Sequence, residues 1–177
     1  MKKSLVLLSL LIMLTLTGCI EKNIEDVTAN AKNSPTETEE PKSWNLSSEF
    51  KSSEGDYLLG EEGKAGLIGP EFKAGKIDKW LWHFWGDEKT IEGGNFKVVA
   101  IHKETGEKEK ALVENAGTSN EQKVWEYGKL AYSPNGVRGS DSSMPSNMSL
   151  STPGVWRLEI FIGENYFGAI VVDVKKK

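Results

Sequence analysis

Residues 79–87 read "KWLWHFWGD": three tryptophans, a leucine and a phenylalanine surround a single histidine. On an extended chain successive side chains alternate between faces, so Trp80, Trp82 and Phe84 point one way and Leu81, His83 and Trp85 the other. Burying one large ring removes roughly 150–250 Å² from water, on the order of 3–5 kcal/mol at the usual area coefficient. Three such rings on one face supply a large share of a small domain's stabilisation, and displaying them to solvent would forfeit it and invite aggregation. The segment therefore reads as a strand whose Trp80, Trp82 and Phe84 face fills a core. Trp85, beside Gly86-Asp87 at the strand end, is placed to offer an exposed ring to a sugar or peptide.

The flanking sequence has the same character. From Trp44 onward apolar residues come in short runs separated by Gly, Asn, Pro and Ser clusters, and no long segment keeps a 3.6-residue period. "DYLLGEEGKAGLIGP" (56–70) predicts two short strands around a Glu-Glu-Gly-Lys turn. "NFKVVAIHKETGEKEKALVE" (95–114) predicts a hairpin turning at Thr105-Gly106. The last 30 residues predict two long strands joined at Gly163-Glu164-Asn165, with Trp156, Leu158, Ile160 and Ile162 on one face and Val155, Arg157, Glu159 and Phe161 on the other. The final strand is apolar on both faces, which reads as interior. Residues 45–177 are thus expected to form an all-β, antiparallel sandwich of about seven to nine strands.

The stretch from Gly117 to Asn147 is expected to be mostly irregular, with one strand around "KVWEY" (123–127). Loops of that length in a compact domain are uncommon and often functional. This one carries Trp125, Tyr127, Tyr132 and Arg138, residue types that dominate binding hot spots. With Trp85 and Asp141 they form the candidate binding surface; the competing reading is that the segment only covers the sheet.

The chain begins with Lys2 and Lys3, then the apolar run "SLVLLSLLIMLTL" (4–16), too short for a comfortable membrane span, then "LTGC" (16–19). This resembles a bacterial lipobox, which implies cleavage after Gly18 and lipid on Cys19. Cys19 is the only cysteine, so no intramolecular disulfide and no C-x-x-C site can form, and lipidation accounts for it. Residues 1–18 are read as the leader and 19–44 as an acidic tether, too poor in bulky apolar side chains to fold, with a reach of about 25–30 Å. Two or more acyl chains anchor stably, so the expected address is the extracytoplasmic face of a cell membrane. Losing Lys2 and Lys3 with the leader takes the formal charge from −4 to −6. An acidic domain gains nothing from phosphate backbones, so nucleic acid is not an expected partner.

Three segments, "KWLWHFWG" (79–86), "MPSNMSL" (144–150) and "PGVWRLEIFIGENYFGAIVVDV" (153–174), resemble a family of small Gram-positive, Bacillus-type lipoproteins of unknown function. The resemblance runs from about residue 57 to 174 and implies an immunoglobulin-like fold. Family members often carry Gly-Ala-Asp-Ala-His before the Met-Pro-Ser segment. Here "GSDSSMPS" keeps the aspartate as Asp141 and places Ser143 where the histidine stands. The resemblance implies an address and a fold, and no reaction.

Catalytic signals are sparse. His83 in an apolar setting would stay neutral, but no G-x-S-x-G or H-E-x-x-H pattern accompanies it. If strands 79–85 and 96–102 run antiparallel, His83 and His102 lie roughly 15 Å or more apart, too far to share zinc. "GDE" (86–88) and "GSD" (139–141) read as turns, lacking calcium-loop spacing. The expectation is a non-catalytic module with neither cofactor nor metal, engaging an envelope protein. A cell-wall glycan or peptide is the alternative, and a hydrolase or metalloenzyme the third reading.

Overall fold

The aromatic run forms β4 (Asp78–Phe84), and its inner face is buried as its alternation demands: Trp80, Trp82 and Phe84 are 2%, 0% and 0% exposed. The computed structural model describes residues 43–177, so the leader, Cys19 and the tether up to residue 42 lie outside the described residues. In chain order, β1 (Ser48–Lys51), β2 (Tyr57–Glu61) and β3 (Ala65–Ile68) precede β4. A single helical turn, α1 (Glu88–Ile91), follows, then β5 (Asn95–His102), β6 (Lys108–Lys110), β7 (Leu112–Glu114), β8 (Gln122–Val124) and β9 (Glu126–Lys129). The chain closes with β10 (Ser142–Met148), β11 (Gly154–Ile162) and β12 (Asn165–Val174).

Two antiparallel sheets result, not closed into a barrel. One runs β1-β2-β3-β4-β10-β7-β8, the other β12-β11-β5-β6, with β9 also pairing β5. This is the all-β sandwich the sequence predicts. Twelve strands replace the expected seven to nine: β1 and β10 form where no strand was expected, and the chain twice changes sheets within an extended run. At Ala111 it leaves β6 in the second sheet for β7 in the first, and at Trp125 it passes from β8 back to β9. The first switch puts the adjacent Ala111 and Leu112 both in the core, and no turn residue separates the two halves of either run, so each reads as one strand.

The 117–147 segment is correspondingly less irregular than expected. Besides β8 and β9 it contains most of β10, an interior strand of the first sheet. The sequence "SSMPSNM" is poor in β-branched and aromatic residues. Pairing imposes its strand form: all seven residues register with β4, from Ser142 opposite Phe84 to Met148 opposite Asp78. A second correction concerns β12, which is an edge strand. Its backbone edge is partly capped, by Ser47 at Val171 and by Phe72 and Ala74 at Lys175. Its outward face is buried around Val171 and the neighbouring Arg157, whose guanidinium lies 4.3 Å from the Trp44 ring.

Between the sheets, Phe96 meets Trp82 and Phe84 edge-on at 5.2 and 5.3 Å, and Trp156, Leu158, Ile160 and Ile170 close the layer from the other side. Buried indoles need acceptors. Trp82 Nε1 donates to Ser146 Oγ (2.8 Å) and Trp80 Nε1 to the Pro70 carbonyl (3.1 Å). A Cβ on Gly69 would fall 2.0 Å from the Trp80 ring, so only glycine lets the indole slide beneath that backbone. Gly86-Asp87-Glu88 is a helix start: Asp87 Oδ1 accepts the Thr90 N–H (2.7 Å), which also lowers the Asp87 pKa.

Truncating Trp82 to Ala should cost about 3–5 kcal/mol in urea unfolding. Ser146→Ala, which strands the indole N–H, should cost about 1–3 kcal/mol. Lys79→Ala, on the exposed side of the same strand, should stay within about 0.5 kcal/mol.

Candidate binding surface

Of the six candidate surface residues, the fold gathers three at the end of β4. Trp85 is half-buried: its Nε1 donates to the Gly139 carbonyl (2.8 Å) and Phe50 packs edge-on at 5.7 Å. Its indole is a fastening for the 133–141 loop, not a displayed ring. Asp141 Oδ2 accepts the Gly86 N–H (2.9 Å). Arg138, exposed and held at φ 50°, reaches Asp56 on the β1–β2 turn through Nη2 (3.0 Å) and Nε (3.3 Å). Gly139, at φ 78°, passes so close to Ser53 that a Cβ would stand 2.8 Å from its hydroxyl. These ties clasp loop, turn and strand end together.

Beneath the clasp lies His83, fully buried, its Nδ1 3.0 Å from Ser140 Oγ. That hydroxyl has one proton and two carbonyls in reach, Val137 at 2.8 Å and Ser142 at 3.0 Å. One proton can serve only one of three acceptors, the two carbonyls or Nδ1, so the tautomer sets the contact: an Nδ1–H ring donates to Oγ and an Nε2–H ring accepts from it. The ring's Nε2 has no hydrogen-bond partner among the described residues. Burial lowers its pKa, Arg138 adds to the effect, and Asp56 and Glu54 oppose it. His102 belongs to the other sheet, edge-on to Trp156 at 4.8 Å.

The other three candidates are dispersed. Tyr132 packs against the core while its N–H donates to Glu92 (3.1 Å). Trp125 marks the sheet switch, 37% exposed, with the Lys110 ammonium 6.0 Å from its ring centre. Tyr127 reaches back to the first sheet, where its hydroxyl donates to the Val113 carbonyl (2.6 Å); burial raises its pKa and keeps it neutral.

Tyr127 stands in an open cleft of about 500 Å³ that the sequence does not reveal. β7 and β10 pair only through Val113–Asn147 and Leu112–Met148 before they part. The Ser149 N–H bonds the Ala111 carbonyl (2.9 Å), so odd-numbered residues of this strand face β7. Two residues beyond Asn147 comes Pro145, which has no N–H to continue the ladder. Asn115, at φ 51°, turns β7's continuation away. The gap is lined by Lys79, Glu114, Asn115, Tyr127, Pro145 and Asn147, with Ser146 and Val113. Pro145 within "MPSNMSL" was the available signal, legible only once the strand and its neighbour are known.

The His83 environment makes a pH prediction. Its folded pKa lies below 6.5, so the stability tied to the neutral ring is fully present above pH 6.5 and drains as pH falls toward the folded value. Unfolding free energy measured from pH 7.5 to 5 should fall in the native chain. Over the same interval the slope should be smaller in His83→Asn.

Among curated proteins no significant match exists. A crystal structure of a candidate lipoprotein from Bacillus anthracis superimposes with a TM-score of 0.60, covering 76% of this chain and 88% of that one at 19% identity. That likeness speaks for the fold. The model of the family described as Domain of unknown function (DUF4871) matches residues 36–172, and the chain belongs to that family.

Proposed function

We propose that this chain is a lipid-anchored extracytoplasmic binding module, attached through Cys19, that engages an envelope protein at the cleft between β7 and β10. The cleft carries this reading. It is open, about 500 Å³ in volume, and dominated by polar side chains with one tyrosine. A lysine, a glutamate and two asparagines offer charge and both donors and acceptors, which suits a polypeptide surface. Pro145 and Asn115 hold it open without exposing a β-edge that would invite nonspecific pairing. The module is non-catalytic in this reading: His83 lies fully buried beneath the clasp, and no G-x-S-x-G or H-E-x-x-H pattern accompanies it. One observation favours cell-wall glycan as a second reading. Trp125 is an exposed indole with a cation nearby, an arrangement that stacks on sugars.

Photo-cross-linking on intact cells separates these. A cross-linker at Asn147 should yield one discrete protein adduct absent when it sits at Glu104, on the exposed β5–β6 turn; the same adduct from both positions would remove the cleft from the reading. Soluble wall fragments should quench tryptophan emission in a Trp125-dependent manner if glycan is the ligand, and no response at millimolar concentration would eliminate it. Cys19→Ser should shift the chain from the membrane fraction to the soluble one.

A further inference from the structure

On the opposite flank of the sandwich, the β1–β2 hairpin extends past the edge of β12 and leaves a second cleft, about 370 Å³. Its floor is apolar: Leu59, Leu67 and the Trp80 ring, on which Phe72 stacks at 4.4 Å. Tyr57 stands at its rim, 67% exposed, with the Lys51 ammonium 5.6 Å from its centre. The lining includes three carboxylates, Glu49, Glu71 and Asp173, and no basic side chain. Lys175 approaches from outside and bonds Asp173; Glu49 and Glu71 stay exposed.

The backbone of β12 makes this more than an acidic apolar hollow. Odd-numbered residues turn their N–H and C=O toward this flank. Val171 exchanges bonds with Ser47 (N–H to Oγ, 2.9 Å; Ser47 N–H to O, 3.0 Å). Lys175 gives its N–H to Phe72 and accepts from Ala74, both at 2.9 Å. Asp173 lies between them. Opposite it on β11, Val155 directs its carbonyl to Lys103 of the β5 end, so the pair Val155–Asp173 is a non-hydrogen-bonded one. One donor and one acceptor of an edge strand therefore face the cleft, with the positions on either side already filled.

We propose that this cleft binds one residue of an extended basic-apolar peptide. The peptide backbone pairs with Asp173, an apolar side chain lies on the Trp80 floor beside Tyr57, and flanking lysine or arginine side chains meet Glu49 and Glu71. Main-chain bonds supply affinity and the pocket supplies selection, the mode of strand addition at a sheet edge. This site is separate from the β7–β10 cleft, so either can fail without the other.

The test is calorimetry with the full chain in detergent micelles and the capped peptide Lys-Leu-Lys-Val-Lys, alongside amide shifts of Asp173. The lysine peptide should bind and shift the Asp173 amide. Affinity should drop at least about 10-fold for the Glu49→Lys, Glu71→Lys double variant, for Tyr57→Ala, and for a peptide N-methylated at its leucine. These substitutions lie at exposed positions, and an unchanged Tm confirms that the fold survives. Equal affinity for Glu-Leu-Glu-Val-Glu, equal affinity for the N-methylated peptide, an unmoved Asp173 amide or no binding at millimolar concentration overturns the proposal. So does concentration-dependent dimerisation abolished by Tyr57→Ala, which would assign the flank to a second copy of this chain.

Discussion

An indole N–H buried at zero exposure must find an acceptor, and for Trp82 that acceptor is Ser146, 64 residues away in sequence. Leaving the N–H unpaired costs about 1–3 kcal/mol, a sizeable fraction of a domain's net stability. A one-residue slip of β10 would turn Ser146 to the other face and impose that cost at once. The bond thus sets the register of a strand whose own composition argues against being one. From that register follow the position of Pro145, the break in the β7–β10 ladder, and the arrival of residues 133–141 at the end of β4.

The two clefts have a common origin in sheet width. The first sheet has seven strands along its ladder, while the second is narrower and begins at β12. Where β1–β2 project past β12 the overhang is apolar and acidic. Where β7 and β8 project on the other side, the chain has just changed sheets, and the mismatch is plugged by Tyr127. Such margins are places where a sandwich can offer a concave surface without opening its core. They also show why aromatic content alone is a poor guide to binding. The most exposed aromatic ring is Tyr57, at 67%, while Trp82 and Trp156 are completely enclosed.

The clasp over His83 belongs to a different category. Its ties run from Trp85, Gly86 and His83 to Gly139, Asp141 and Ser140, with Arg138 reaching across to Asp56. An exposed ion pair of this kind contributes little, about 0–1 kcal/mol. The buried hydrogen bonds carry the attachment, and the neutral imidazole makes it sensitive to proton concentration. Three residues of the candidate surface, Trp85, Arg138 and Asp141, thus each tie into this clasp, through Gly139, Asp56 and Gly86 in turn.

Features set by nearest neighbours and alternation were legible without coordinates. The inner face of β4, the hairpin at Thr105-Gly106, the paired strands β11 and β12, the turn at residues 61–64 and the all-β class all follow from period-two patterning and turn chemistry, which act over a few residues. Sheet membership did not follow, because the chain crosses between layers at Ala111 and Trp125 with no turn residue to mark the change. Nor did β10, whose strand form comes from β4, or the edge position of β12, whose apolar outer side is covered by distant segments. The candidate surface divides the same way. Residue types marked Trp85, Arg138 and Asp141, but only long-range packing determined the bonds they make to Gly139, Asp56 and Gly86. The cleft at Pro145 was decided by where the β7–β10 ladder ends, and the one at Asp173 by an edge backbone with no partner among the described residues; both are properties of the assembled sheets.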